Sequence, residues 1–122
     1  MTKNEFWYEG ETLNYAIGQG GLTVTPIQIL KMVAAVSTSG ELVQPYIAKR
    51  IGGVNIEPLR AKNLNLKPKT LAIIKEGMKK VVHDPDGTGR RANVENLSIA
   101  GKTGTAQAGT GKTPHAWFAG FA

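Results

Sequence analysis

Lys102, Thr103, Gly104 and Thr105 stand side by side in the chain. In an extended segment a period of two puts the hydroxyls of Thr103 and Thr105 on one face, while Gly104 between them removes a side chain and lets a ligand lie against the backbone. Lys102 adds a fixed positive charge, so the set is suited to gripping a carboxylate. The amide of Thr105 can also donate to a developing oxyanion, a role worth about 3 kcal/mol in acyl-transfer enzymes.

Other spellings fail on context. Ala106 to Thr113 reads as a relaxed phosphate loop, but that motif needs a helix opening at its Gly-Lys-Thr, and here Pro114 and an aromatic strand pattern follow. Gly87-Thr88-Gly89-Arg90-Arg91-Ala92 spells a dinucleotide fingerprint, yet it follows a helix and a turn instead of a strand. Asp84, Asp86, Thr88, Gly89 and Glu95 fall where a calcium loop has its ligands and its glycine, but Arg90 and Arg91 put two positive charges inside and no helix follows. An ordinary helix-to-strand turn is expected there. His83 and His115 lack a third ligand at metal spacing. His83 is expected to interact with the C-terminus of its own helix and His115 to be structural. The absence of cysteine excludes disulfides, thiolate zinc sites and cysteine nucleophiles.

Several elements must position these residues. The segment through about Leu22, with its aromatics and the Gly18 to Gly21 cluster, reads as loop and turn. Thr25-Pro26-Ile27-Gln28 opens a helix: Thr25 caps, Pro26 suits the first position and Gln28 closes a capping box. Its body from Ile27 to Val36 is apolar on nearly every side, which predicts a buried helix ended by glycine at Ser39-Gly40. Glu41 to Ile51, with Pro45 inside, fits an edge strand or extended connector closed by Gly52-Gly53. Leu71, Ile74, Met78, Val81 and Val82 form the stripe of an amphipathic helix opening at Pro68, with Gly77 costing about 1 kcal/mol against alanine. The turn at Asp84-Pro85 must stop it. Leu97 to Gln107 and His115 to Ala122 read as two strands of a hairpin, with Trp117, Phe118 and Phe121 needing cover.

The chain has 122 residues, room for one core. Hydrophobic residues at 41% and charged residues at 20% are ordinary globular usage, which argues against disorder or a coiled coil. The net charge of +6 permits an anionic partner. However, Lys79-Lys80 and Arg90-Arg91 are short pairs without interleaved aromatics, so a solvated basic face is expected and no nucleic acid. No run approaches the roughly 18 apolar residues of a membrane span, and the first residues lack the apolar stretch of a signal peptide. Any export signal or anchor is expected outside this chain.

Taken in order, Tyr15 to Gly20, Thr25 to Gln28, the Pro85 to Gly89 turn, Lys102 to Gln107 and His115 to Phe118 resemble the C-terminal half of the transpeptidase domain of class B penicillin-binding proteins. The resemblance runs from about Gly10 to Ala122. It implies an α+β domain, an antiparallel sheet flanked by helices, of the penicillin-binding and serine β-lactamase-like kind. It also implies an active-site serine acylated by the D-alanyl-D-alanine end of a peptidoglycan stem peptide, then attacked by an amine of a neighbouring stem to cross-link the wall; β-lactams mimic that end. By carry-over, Lys102 supplies charge, Thr103 and Thr105 bind the terminal carboxylate beside Gly104, and the Thr105 amide completes the oxyanion hole. No cofactor or metal is implied. Partners would be stem peptides, β-lactams and other wall-synthesis proteins, and the location the extracytoplasmic face of the bacterial cytoplasmic membrane.

One departure bears on activity. The family's nucleophile sits in Ser-x-x-Lys and faces a Ser-x-Asn motif. Three residues beyond Ser37, Ser39 and Ser98 lie Gly40, Leu42 and Gly101; two beyond lie Ser39, Glu41 and Ala100. Residues 1–122 are therefore expected to form a partial transpeptidase domain with neither motif, inactive alone. A catalytically silent penicillin-recognising sensor or scaffold, and a related β-lactamase or carboxypeptidase, stay open as alternatives.

Overall fold

The computed structural model describes residues 7–106 and 111–122. Three α-helices and six strands follow one another as α1 (Glu9–Ala16), α2 (Pro26–Ser37), β1 (Glu41–Leu42), β2 (Arg50–Ile51), β3 (Val54–Asn55), β4 (Lys62–Asn63), α3 (Pro68–His83), β5 (Ala100–Ala106) and β6 (His115–Phe121). A single 3-10 turn, Arg90–Ala92, lies between α3 and β5. The strands pair antiparallel in three two-stranded sheets, β1 with β4, β2 with β3 and β5 with β6. This is an α+β fold.

The segment read as loop contains α1. Glu9 and Glu11 lie in its first turn, where the positive end of the helix dipole favours them. Trp7 ties the start of the helix down, its indole N–H donating to Thr12 Oγ1 at 2.9 Å and its ring lying 5.1 Å from that of Tyr15. The glycines end this helix instead of preventing it. Gly18 takes a left-handed φ of 74°, and the amides of Gly18 and Gln19 close back on the carbonyls of Tyr15 and Asn14. That is a Schellman cap, which favours glycine at the left-handed position.

Helix α2 opens as its sequence requires, with the Thr25 side chain and Gln28 forming the reciprocal capping box. Its end differs in detail from the expected glycine stop. The left-handed position is Ser39, at φ 63°, followed by Gly40 at φ 104°, with the amides of Ser39 and Gly40 reaching Val36 and Ala35. A lysine from α3 completes the cap: Lys75 Nζ donates to the Ser37 carbonyl at 3.0 Å and to Ser39 Oγ at 3.1 Å. The expectation of an all-round buried helix is corrected too. Val33 and Ala35 are buried, but Ile27, Leu30 and Met32 remain more than half exposed, so within this chain one side of α2 meets protein and the other does not.

The extended segment after α2 is more broken than one edge strand. Gly52 and Gly53 both take positive φ, 55° and 84°, and turn the chain back from β2 into β3. Positive φ at both central residues is what a two-residue hairpin turn demands.

Helix α3 buries part of its expected stripe, Leu71 and Val82, Val82 completely, whereas Ile74 stays exposed. Asp84 leaves the helix at φ −71°, ψ 147°, the extended region that the following Pro85 imposes. No other residue packs within 4 Å of where a Gly77 side chain would begin. Gly77→Ala is therefore expected to raise stability by about 1 kcal/mol, read as a higher thermal midpoint of the full-length protein. An unchanged or lower midpoint would show that something outside these residues packs there.

Candidate functional site

All four residues singled out by sequence lie on β5 in extended conformation. Its partner β6 sets the register Lys102 opposite Ala119, Thr103 opposite Phe118, Gly104 opposite Trp117 and Thr105 opposite Ala116. Lys102, Gly104 and Thr105 are exposed and Thr103 half-buried.

Two side-chain contacts identify the edge of β5 that faces away from β6. Lys102 Nζ donates to the Thr103 carbonyl at 2.9 Å, and Gln19 Nε2 donates to the Thr105 carbonyl at 3.4 Å. In an antiparallel strand the N–H and C=O of one residue point to the same side, and that side alternates from residue to residue. The amides of Thr103 and Thr105 therefore point to the same open edge as their carbonyls, while those of Lys102 and Gly104 point toward β6. At Gly104 the atom closest to an added Cβ would be Trp117 Cβ at 3.7 Å, an ordinary van der Waals distance. Packing within the chain therefore does not force a glycine at that position.

The face that carries Thr103 is built by other glycines. A methyl at Gly101 would overlap the Phe118 ring, so the ring occupies the space over Gly101, and Phe118 stands opposite Thr103 in the register. Behind it the turn after α3 is pressed against the helix. A methyl at Gly87 would overlap the Val81 carbonyl oxygen and come within 2.8 Å of that of Lys80. At Gly89 it would stand 3.0 Å from Val81 Cγ1 and 3.2 Å from the Phe118 ring, and the Gly89 amide donates to the Val81 carbonyl at 2.8 Å. Between these two glycines Thr88 presents its hydroxyl to that of Thr103, 2.9 Å away. Sequence reading missed this role of Thr88; the signal available was a threonine held between two glycines in a helix-ending turn.

His83 does not rest on its own helix end as expected. Its Nε2 lies 2.9 Å from the carbonyl of Ile99, the residue before β5, and so joins the end of α3 to the start of the site strand. Reach explains the difference: in the last turn of α3 the ring extends past the helix to a neighbouring strand's carbonyl. Arg90 donates to the Pro85 carbonyl and closes the turn. The carboxylates and threonine once aligned with a calcium loop thus serve as turn: the Gly87 amide binds the Asp84 carbonyl at 2.9 Å and Thr88 faces Thr103. Among the described residues no group of three or more His, Asp or Glu side chains is arranged to hold a metal ion. Half of the phosphate-loop spelling, Gln107 to Thr110, lies outside the described residues, and its Gly-Lys-Thr runs into β6.

Two open clefts adjoin this region. The larger, about 490 Å³, is lined by His83 and residues 93–98 and includes none of Lys102 to Thr105. The smaller, about 330 Å³, is lined by Gly87, Thr88, Arg90 and Arg91 and borders Thr103 through Thr88. The smaller one is adjacent to the chemistry. Of the three serines, Ser37 Oγ donates to the Ala34 carbonyl at 2.9 Å, Ser39 receives the capping Lys75, and Ser98 lines the larger cleft.

The fold that carries this edge is shared with known proteins. The family model for the penicillin binding protein transpeptidase domain matches residues 2–122, and the chain belongs to that family. It is 36% identical to the peptidoglycan D,D-transpeptidase MrdA of Haemophilus influenzae over 95% of this chain and 21% of that protein. It is 40% identical to stage V sporulation protein D of Bacillus subtilis over 80% of this chain and 16% of that protein. The crystal structure of Pseudomonas aeruginosa PBP2 in complex with WCK 5153 superimposes with a TM-score of 0.80 at 40% identity, covering 97% of this chain and 27% of that one. The chain thus spans about a fifth of the length of the first of these relatives.

Proposed function

We propose that this chain is the carboxylate-binding wall of a serine D,D-transpeptidase that cross-links peptidoglycan stem peptides and is acylated by β-lactams. It works with a nucleophile from Ser-x-x-Lys and a Ser-x-Asn motif supplied by residues other than these 122. The serine oxygen attacks the carbonyl of the penultimate D-alanine, the C–N bond breaks, and the terminal D-alanine leaves with the proton. The amine of a second stem then attacks the ester, forms the cross-link and restores the serine. In this reaction Lys102 and the hydroxyls of Thr103 and Thr105 hold the terminal carboxylate, Gly104 lets the peptide lie close, and the Thr105 amide donates to the oxyanion.

The observation that carries this reading is the open edge of β5. The carbonyls of Thr103 and Thr105 accept there from the Lys102 and Gln19 side chains, their amides point to the same side, and among the described residues no carboxylate pairs with Lys102. A peptide can add to such an edge as a further strand. The family membership supports the same chemistry, and its setting would be the outer face of the cytoplasmic membrane, alongside other wall-synthesis proteins. None of the described helices is long and apolar enough to cross a membrane.

The partial domain, residues 1–122 without either serine motif, has no group to form an acyl-enzyme. Incubation of this chain with a fluorescent penicillin is expected to leave no label after denaturation, while the full-length protein is labelled. Label that survives on the chain alone would overturn the assignment of the nucleophile to other residues. Full-length protein that takes no label would favour the reading of a silent penicillin-recognising scaffold.

A further inference from the structure

We infer that Thr88 is a positioning residue that, by donating to Thr103, frees the Thr103 hydroxyl proton for the ligand carboxylate. The inference rests on the carboxylate-binding role proposed above for Thr103. A threonine hydroxyl has one proton and two acceptor lone pairs, and where its proton goes depends on its neighbours. Lys102 Nζ lies 3.5 Å from Thr103 Oγ1, and a lysine ammonium has no acceptor, so in that contact Thr103 accepts. Thr88 Oγ1 lies 2.9 Å from the same oxygen. When Thr88 donates, both acceptor positions of Thr103 are filled and its own proton is left for the open edge of β5, where a carboxylate would arrive. Donation into Thr103 Oγ1 also polarises its O–H and strengthens the bond it makes.

The fold holds Thr88 in this role from both sides. Gly87 presses so closely on the end of α3 that it has no room for a side chain, a methyl at Gly89 would crowd Val81 and Phe118, and the Gly89 amide is tied to Val81. Thr88 therefore projects from a fixed turn onto the site strand, although fifteen residues separate it from Thr103.

The test uses the full-length protein and the acylation rate by two ligands, a β-lactam with a free carboxylate and its methyl ester. Thr88→Val keeps the branched shape and removes the hydroxyl. It is expected to slow acylation by the free acid about fivefold, to change that by the ester less than twofold, and to cost nothing further once Thr103 is valine. Thr88→Ser is expected to restore the parental rate. Equal losses on acid and ester, or the full Thr88→Val loss in a Thr103→Val background, would overturn the inference in favour of a purely structural threonine. If Thr103→Val by itself acylates the free acid at the parental rate, the proposed carboxylate role of Thr103 fails, and this inference falls with it.

Discussion

Lys102→Ala in the full-length protein is expected to slow acylation by a carboxylate-bearing β-lactam about a hundredfold, the loss of one charge-assisted hydrogen bond in a site closed around its ligand. The same substitution should move folding stability by no more than about 0.5 kcal/mol, because Lys102 is exposed and surface substitutions away from caps and networks have small effects. Among the described residues its side chain bonds to the carbonyl and hydroxyl of the next residue alone, so little of the fold depends on it. The separation of the two effects is the diagnostic part. A mutant that acylates as fast as its parent would remove Lys102 from the site, and one that loses rate only in step with its thermal midpoint would reassign it to the scaffold. Thr103→Val is expected to behave in the same sense with a smaller loss, about tenfold, because a neutral hydroxyl contributes less than an ammonium.

The largest expected effect on stability is at Gly87. Its added methyl would collide with two carbonyl oxygens of the last turn of α3, those of Val81 and Lys80, and these belong to backbone that cannot rotate away. Overpacking of this kind costs about 1 to 3 kcal/mol, and Gly87→Ala is expected at the upper end, read as a lowered thermal midpoint of the full-length protein. Relief requires the turn to lift off the helix, which also withdraws Thr88 from Thr103. Acylation of a free-acid β-lactam should therefore fall by at least the fivefold expected for loss of the Thr88 hydroxyl, even at temperatures where the variant is folded. A midpoint within experimental error of the parent would show that the turn is more loosely seated than its contacts imply. The contrast with Gly77→Ala, expected to stabilise, comes from surroundings alone: one glycine faces empty space, the other a wall of backbone.

Much of the hairpin that carries the candidate site is legible in the sequence. The strand character of Lys102 to Thr105 follows from β-branched and small residues between turn signals, and the hairpin partner from alternating aromatics beyond Pro114. The capping box at Thr25 and Gln28 was equally plain, as was the stop before Pro85. What escaped was α1. A glycine cluster beside aromatics looks like loop in any short window, and only the two glutamates ahead of it hinted that the glycines close a helix. The apolar run of α2 was read as fully buried because hydrophobicity reports what a surface prefers, not whether a neighbour is present within the same chain. The partner of His83 escapes a local reading for a related reason: the Ile99 carbonyl stands just before β5, sixteen residues away.

Taken by itself, the sequence determined the local pieces: where α2 and α3 begin and which segment around Lys102 to Thr105 is extended. Caps, proline and the periods of 2 and 3.6 act over a few residues, so a linear reading reaches them. Tertiary structure alone decided which edge of β5 stays open, that Gln19 reaches it across 86 residues of chain, and that Thr88 meets Thr103. Those outcomes depend on how close two backbones can come, which the glycines at 87, 89 and 101 permit and no local pattern of residues states.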